Sequence, residues 1–89
     1  MPHPVDEHVG RKLRLFRVNA GYSQSELGEA VGVRFQQVQK YESGLNRVSA
    51  SRLWDFARVL EVPIYSFFEG IDGGLHAPGV QRSQFESSI

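Results

Sequence analysis

The chain predicts an all-α fold, five short helices sharing one core, and three observations lead there. Apolar residues recur at helical spacing through residue 70. No run alternates apolar and polar residues as a half-buried strand does, and no internal repeat is present. Helix boundary residues punctuate the chain at Gly21, Gly32, Gly44, Pro63 and Gly70.

The first helix is expected from about Asp6 to Asn19, with Val9, Leu13, Phe16 and Ala20 on one face and Gly21 as its stop. The two prolines among the first five residues argue against an earlier start. The second helix covers about Gln24 to Val31. Ser23 opens it and Glu26 stands three residues on, so each side chain can satisfy an unpaired N–H of the same turn. Leu27, Ala30 and Val31 form its apolar face, and Gly28 permits a close helix approach. Gly32 supplies the left-handed conformation that ends a helix, and Val33 plugs the gap to the next one.

The third helix covers about Phe35 to Ser43, is closed by Gly44, and leads into a polar loop with Asn46 and Arg47. Ser49 or Ala50 opens the fourth, whose Leu53, Phe56, Ala57 and Leu60 form an apolar stripe that Trp54 widens beside Val59. Pro63 starts the fifth, where Ile64, Phe67 and Phe68 repeat the i, i+3, i+4 spacing before Gly70. Residues 6–70 are thus expected to form one domain. Residues 71–89 are rich in Gly, Ser and Pro and read as a flexible tail, the alternative being a dimer arm in which Leu75, Val80, Phe85 or Ile89 docks on a partner subunit.

Composition narrows the function. Eighty-nine residues allow one small domain and no second, catalytic one. Without cysteine, disulfides and thiolate metal sites are excluded. The first ten residues lack the regions of a signal peptide, and no apolar run approaches the ~20 residues that span a bilayer, so a cytoplasmic chain with no membrane partner is expected. His3 and His8 lie near the terminus and His76 in the tail, with no converging nucleophile and base, so the chain is not read as an enzyme. His3, Asp6, Glu7 and His8 have no defined ligand geometry, and no metal or cofactor is expected.

The third helix carries the chemistry. At about 100° per residue, with Val38 facing inward, Tyr41 and Glu42 lie near it while Gln36 and Lys40 point nearly the opposite way. Gln37, Gln39 and Ser43 flank that strip. Gln can bond adenine in bidentate fashion, Lys can donate to guanine, and an α-helix fits the major groove. Gln and Lys are also common on any solvated helix face. The order of signals decides for DNA: a capping box, a small residue, a turn glycine, then a short polar helix. Net charge is zero, with ten basic and ten acidic residues, but residues 32–52 hold Arg34, Lys40, Arg47 and Arg52 against Glu42 alone, a local positive surface for phosphates.

LRLFRVNAGYSQSELGEAVGV from Leu13, QVQKYESG ending at Gly44 and SRLWDFARVLEVP from Ser51 resemble the Cro and phage-repressor type of helix-turn-helix regulators, the XRE family. The resemblance spans about two thirds of the chain and implies a lambda-repressor-like, DNA-binding domain with its helix-turn-helix motif at 23–43. It implies a phosphate contact for Gln24, base reading for Arg34, Phe35, Gln36 and Lys40, base or backbone contacts for Gln37 and Gln39, and backbone contacts for Ser43, Asn46, Arg47 and Ser51. At Phe35, where many relatives carry a polar residue, the alternatives are contact with a thymine methyl and packing against the second helix. Arg17 and Glu42 both project toward the core, and the resemblance makes them a structural, buried ion pair.

One short recognition helix reads too few base pairs for a unique address, so a homodimer is expected, with Tyr65, Phe67 and Phe68 as candidate contacts. The expected function is a transcriptional repressor, nucleoid-associated through double-stranded DNA and reading a pseudo-palindromic operator. The alternative is an antitoxin or adaptor on the same fold, with a toxin or other protein antagonist as partner.

Overall fold

The computed structural model describes residues 2–71. Four α-helices, α1 (Pro4–Asn19), α2 (Gln24–Val31), α3 (Phe35–Glu42) and α4 (Ala50–Leu60), are followed by a 3-10 turn at Ile64–Phe68, with no strand among the described residues. The tail expected at 71–89 lies, from residue 72 on, outside the described residues, and so do His76 and the arm residues Leu75, Val80, Phe85 and Ile89.

α1 begins at Pro4, two residues before the expected start. A proline in the first turn sacrifices only an N–H that has no helical partner, so Pro4 initiates the helix instead of obstructing it. His3 is the cap, its Nδ1 accepting from the Val5 N–H at 3.0 Å. Val9 and Leu13 point into the core, Phe16 is half-buried, and Ala20 is exposed at the C-cap, beyond the packed face.

At α2 both halves of the capping box are made: Glu26 N–H donates to Ser23 Oγ at 3.0 Å and Ser23 N–H to Glu26 Oε1 at 2.8 Å. Gly32 closes the helix with φ 81°. Leu27 is fully buried and Val31 half-buried, but Ala30 is exposed, so the apolar face is narrower than its spacing implied. A Cβ on Gly28 would stand 2.5 Å from the Val33 carbonyl, so glycine is what lets the α2–α3 turn fold against α2. α3 ends at Glu42, with Ser43 as cap.

Ser49 caps α4 through a bond from the Arg52 N–H at 3.2 Å. Leu53, Phe56, Ala57 and Leu60 are buried, whereas Trp54, expected to widen that stripe, is 55% exposed. The stripe is already complete with four residues, and Trp54 lies outside its arc. The last element is a 3-10 turn, not the α-helix expected, and Pro63 caps it from outside. With three residues per turn, positions 64 and 67 align and position 68 swings about 120° away. Phe67 is accordingly fully buried and Ile64 half-buried, while Phe68 is 44% exposed.

Val9, Leu13, Leu27, Val38, Leu53, Phe56, Ala57, Leu60 and Phe67 form one core. Phe16 meets Phe67 edge-on at 5.1 Å and Tyr41 meets Phe56 at 5.8 Å, both favourable aromatic geometries. Gly10 lets α1 pass directly over the end of α3, where an added Cβ would come within 2.6 Å of the Glu42 carbonyl.

Candidate nucleic-acid interface

α3 is divided sharply by burial. Val38 is completely buried, whereas Arg34, Gln36, Gln39 and Lys40 are exposed and Phe35 is 42% exposed. Val33, Arg34, Gln36, Gln37 and Lys40 line an open groove along the outer face. Arg34 occupies the N-cap position without a side-chain capping bond, leaving its guanidinium to project from the start of the helix.

The loop after α3 folds back over this strip. Asn46 N–H donates to the Lys40 carbonyl at 3.1 Å, and Gln37 Nε2 donates to Asn46 Oδ1 at 3.3 Å. Gln37 is therefore half-buried and held by the loop, while Gln36 and Lys40 stand clear. Ser43 Oγ donates to the Lys40 carbonyl at 3.2 Å, and Ser51 lies exposed in the first turn of α4, 3.4 Å from Ser49 Oγ. Leu45, between Gly44 and Asn46, is 65% exposed beside the same surface. Its one signal in the sequence is an aliphatic residue in a polar loop, which no helical periodicity marks.

Behind α3 lies a polar cluster whose buried groups are paired. Arg17 donates through Nε to Glu42 Oε2 at 2.6 Å, through Nη2 to Oε1 at 3.2 Å, and through Nη1 to the Tyr22 carbonyl at 2.9 Å. The two side chains are 11% and 5% exposed. Gln24 joins them, its Nε2 donating to Glu42 Oε1 at 3.0 Å. One amide hydrogen of Gln24 is thus committed inward, and only its other hydrogen can be donated to a backbone phosphate. No buried side-chain nitrogen or oxygen among the described residues lacks a partner.

The positive surface is less free than the count of charges implied. Arg47 Nε lies 3.0 Å from Asp6 Oδ2, and Arg52 Nη1 lies 3.8 Å from Asp55 Oδ2. Arg34 and Lys40 have no ion pair among the described residues. Glu26 holds its carboxyl below the ordinary range because the Ser23 backbone N–H, and then the Ser23 hydroxyl, favour its charged form.

The three candidate dimer residues separate. Tyr65 is 64% and Phe68 44% exposed, but Phe67 is fully buried against Phe16 and is not available to a second chain. The histidines near the N-terminus serve the fold: His3 caps α1, and His8 Nε2 lies 2.8 Å from the Glu69 carbonyl. Among the described residues no group of three His, Cys, Asp or Glu side chains is arranged to hold a metal ion, and no helix is long and apolar enough to cross a membrane.

A family model described as helix-turn-helix matches residues 13–67. An uncharacterised HTH-type transcriptional regulator of Sinorhizobium medicae is 52% identical over 90 residues, covering 99% of this chain, and this chain spans 65% of that relative's length. Among solved structures, the restriction-modification controller protein C.AhdI of Aeromonas hydrophila superposes with a TM-score of 0.70 at 26% identity, covering 74% of this chain and all of that one. PlcR of Bacillus thuringiensis, in complex with the peptide PapR7 and DNA, superposes with a TM-score of 0.66 at 27% identity over 92% of this chain and 28% of its own.

Proposed function

The chain belongs to the XRE-type helix-turn-helix family, and from that premise we propose that it reads duplex DNA with α3 and regulates transcription, as a repressor, on a pseudo-palindromic operator bound by two copies. The observation that carries the reading is the division of α3. A fully buried Val38 anchors the helix, and the opposite face offers Arg34, Gln36, Gln39 and Lys40 to solvent with no acidic side chain from α3 beside them. Gln36 and Lys40 are the base readers, because their side chains are exposed and carry no bond to the protein among the described residues. Gln37, held by Asn46, reads or positions according to the free end of its amide.

Around that strip stand groups that suit the sugar-phosphate chain: Gln24 at the start of α2, Ser43 and Asn46 beyond α3, Arg47 in the loop, and Ser51 in the first turn of α4. These fix register without carrying sequence information. Phe35 and Leu45, both exposed, would make apolar contacts with thymine methyl groups at the edges of the strip. Tyr65 and Phe68, exposed on the 3-10 turn, provide the surface for pairing of two copies, which would set half-sites about 34 Å apart or a multiple of it.

Selection of bound sequences from a random duplex pool at near-physiological salt tests this directly. An enriched two-fold symmetric site is the expected result. An enriched site without symmetry would remove the dimer, and salt-sensitive binding with no enriched site would remove sequence reading and favour a protein-interaction role.

A further inference from the structure

Arg47 is the only cation of the loop between α3 and α4, and it is already engaged. Its Nε bonds both carboxylate oxygens of Asp6, at 3.0 and 3.3 Å. Asp6 comes from the first turn of α1, 41 positions earlier in the chain, and its side chain is 16% exposed against 72% for Arg47. The contact is built into the fold. Gly44 packs onto the backbone of Glu7, where a Cβ would stand 2.9 Å from Glu7 Cα, so the loop that carries Arg47 is seated against the turn that carries Asp6. Asp6 and Arg47 line one shallow pocket together with His3, Val5, Val9 and Val48.

Carboxylates and phosphates compete for the same guanidinium donors, because both offer anionic oxygens to the same fork of N–H groups. We propose that Asp6 is an intramolecular stand-in for a DNA phosphate: it occupies Arg47 in the free protein and holds down affinity for every duplex, whatever its sequence. This rests on the DNA reading above. A phosphate approaching the loop meets a neutral pair instead of a free cation, so Arg47 displaces fewer counterions than a lone arginine does. Asp6 therefore acts through Arg47, as a residue that withholds a contact.

The test compares wild type, Asp6→Asn, Arg47→Ala and the double variant, binding short duplexes of random sequence over a range of salt. Asp6→Asn is expected to tighten binding by about 1.4- to five-fold, the range corresponding to an exposed ion pair. It should also steepen the salt dependence by up to about 0.9 of a unit of slope, one phosphate's worth. On the Arg47→Ala background the same substitution should change neither quantity, an outcome that a loss of helix-start stability would not produce. Unchanged or weaker binding by Asp6→Asn, or an equal gain on both backgrounds, overturns the proposal. Asp6→Ser provides the same comparison if melting shows that the asparagine variant is poorly folded. Absence of duplex binding by wild type at low salt would overturn the reading of α3 itself, whereas wild-type binding with an unresponsive Asp6→Asn overturns this inference alone.

Discussion

Replacing Arg17 with alanine removes three hydrogen bonds at once, two to Glu42 and one to the Tyr22 carbonyl. What remains is the Glu42 carboxylate, 5% exposed, with Gln24 as its only side-chain partner among the described residues and with the C-terminus of α3 beside it, where a negative charge is disfavoured. Stranding one member of a buried pair costs about 3–5 kcal/mol. The Gln24 bond and the residual exposure of the site place this pair at the lower end, on the order of 3 kcal/mol. For a domain of this size each kcal/mol moves the melting temperature by about 4–8 °C, so Arg17→Ala should melt about 12–24 °C below wild type. Calorimetry at neutral pH reads this directly. A companion variant separates the charge from the packing: Arg17→Met with Glu42→Leu leaves no orphaned ion and should be less destabilised than either single substitution. If Arg17→Ala melts within about 4 °C of wild type, less than 1 kcal/mol separates them and the pair does not hold α1 to α3.

Gly10→Ala should destabilise despite alanine's helix propensity of about 1 kcal/mol over glycine, because the new Cβ meets the Glu42 carbonyl and neither helix can yield locally. Overpacking of this kind costs about 1–3 kcal/mol, so thermal melting should shift downward, and a higher melting temperature would show that α1 and α3 are not in close contact. Alanine at Gln36 or Lys40 should cost about 1–3 kcal/mol of specific binding each and leave binding to unrelated duplexes nearly unchanged; equal losses on every sequence in a titration would remove both from base reading. The capping box gives a pH dependence. Because the Ser23 backbone and hydroxyl lower the Glu26 value in the folded state, its contribution to stability is complete above glutamate's ordinary titration range and fades as pH falls through the lowered value. In Ser23→Ala the hydroxyl is lost, and the Glu26 titration followed by NMR should move part of the way back up; a further fall would contradict the assignment.

Much of this protein was determined by local sequence. Ser23, Glu26 and Gly32 specify where α2 starts and stops, because capping bonds and a left-handed turn are satisfied within a few residues. Spacing alone placed Leu13, Leu27, Val38 and Phe56 in the core, since a helix puts every third or fourth residue on one side. The outward strip of Gln36 and Lys40 follows from the same geometry. Other features needed the tertiary structure. Whether Ile64–Phe68 winds as an α-helix or a 3-10 turn is decided by what lies beneath it, and that choice buries Phe67 while turning Phe68 outward. Trp54 is apolar and helical, yet it is exposed because Leu53, Phe56, Ala57 and Leu60 already fill the face that meets the core. No local pattern ties Gly10 to the end of α3, Gln24 to Glu42, or Asp6 to Arg47. These contacts join residues 18 to 41 positions apart, and they exist only once the helices have docked. Local rules set each helix and its faces because their causes act within a turn or two of the chain, while close approach and the pairing of charges depend on which faces meet, which packing alone decides.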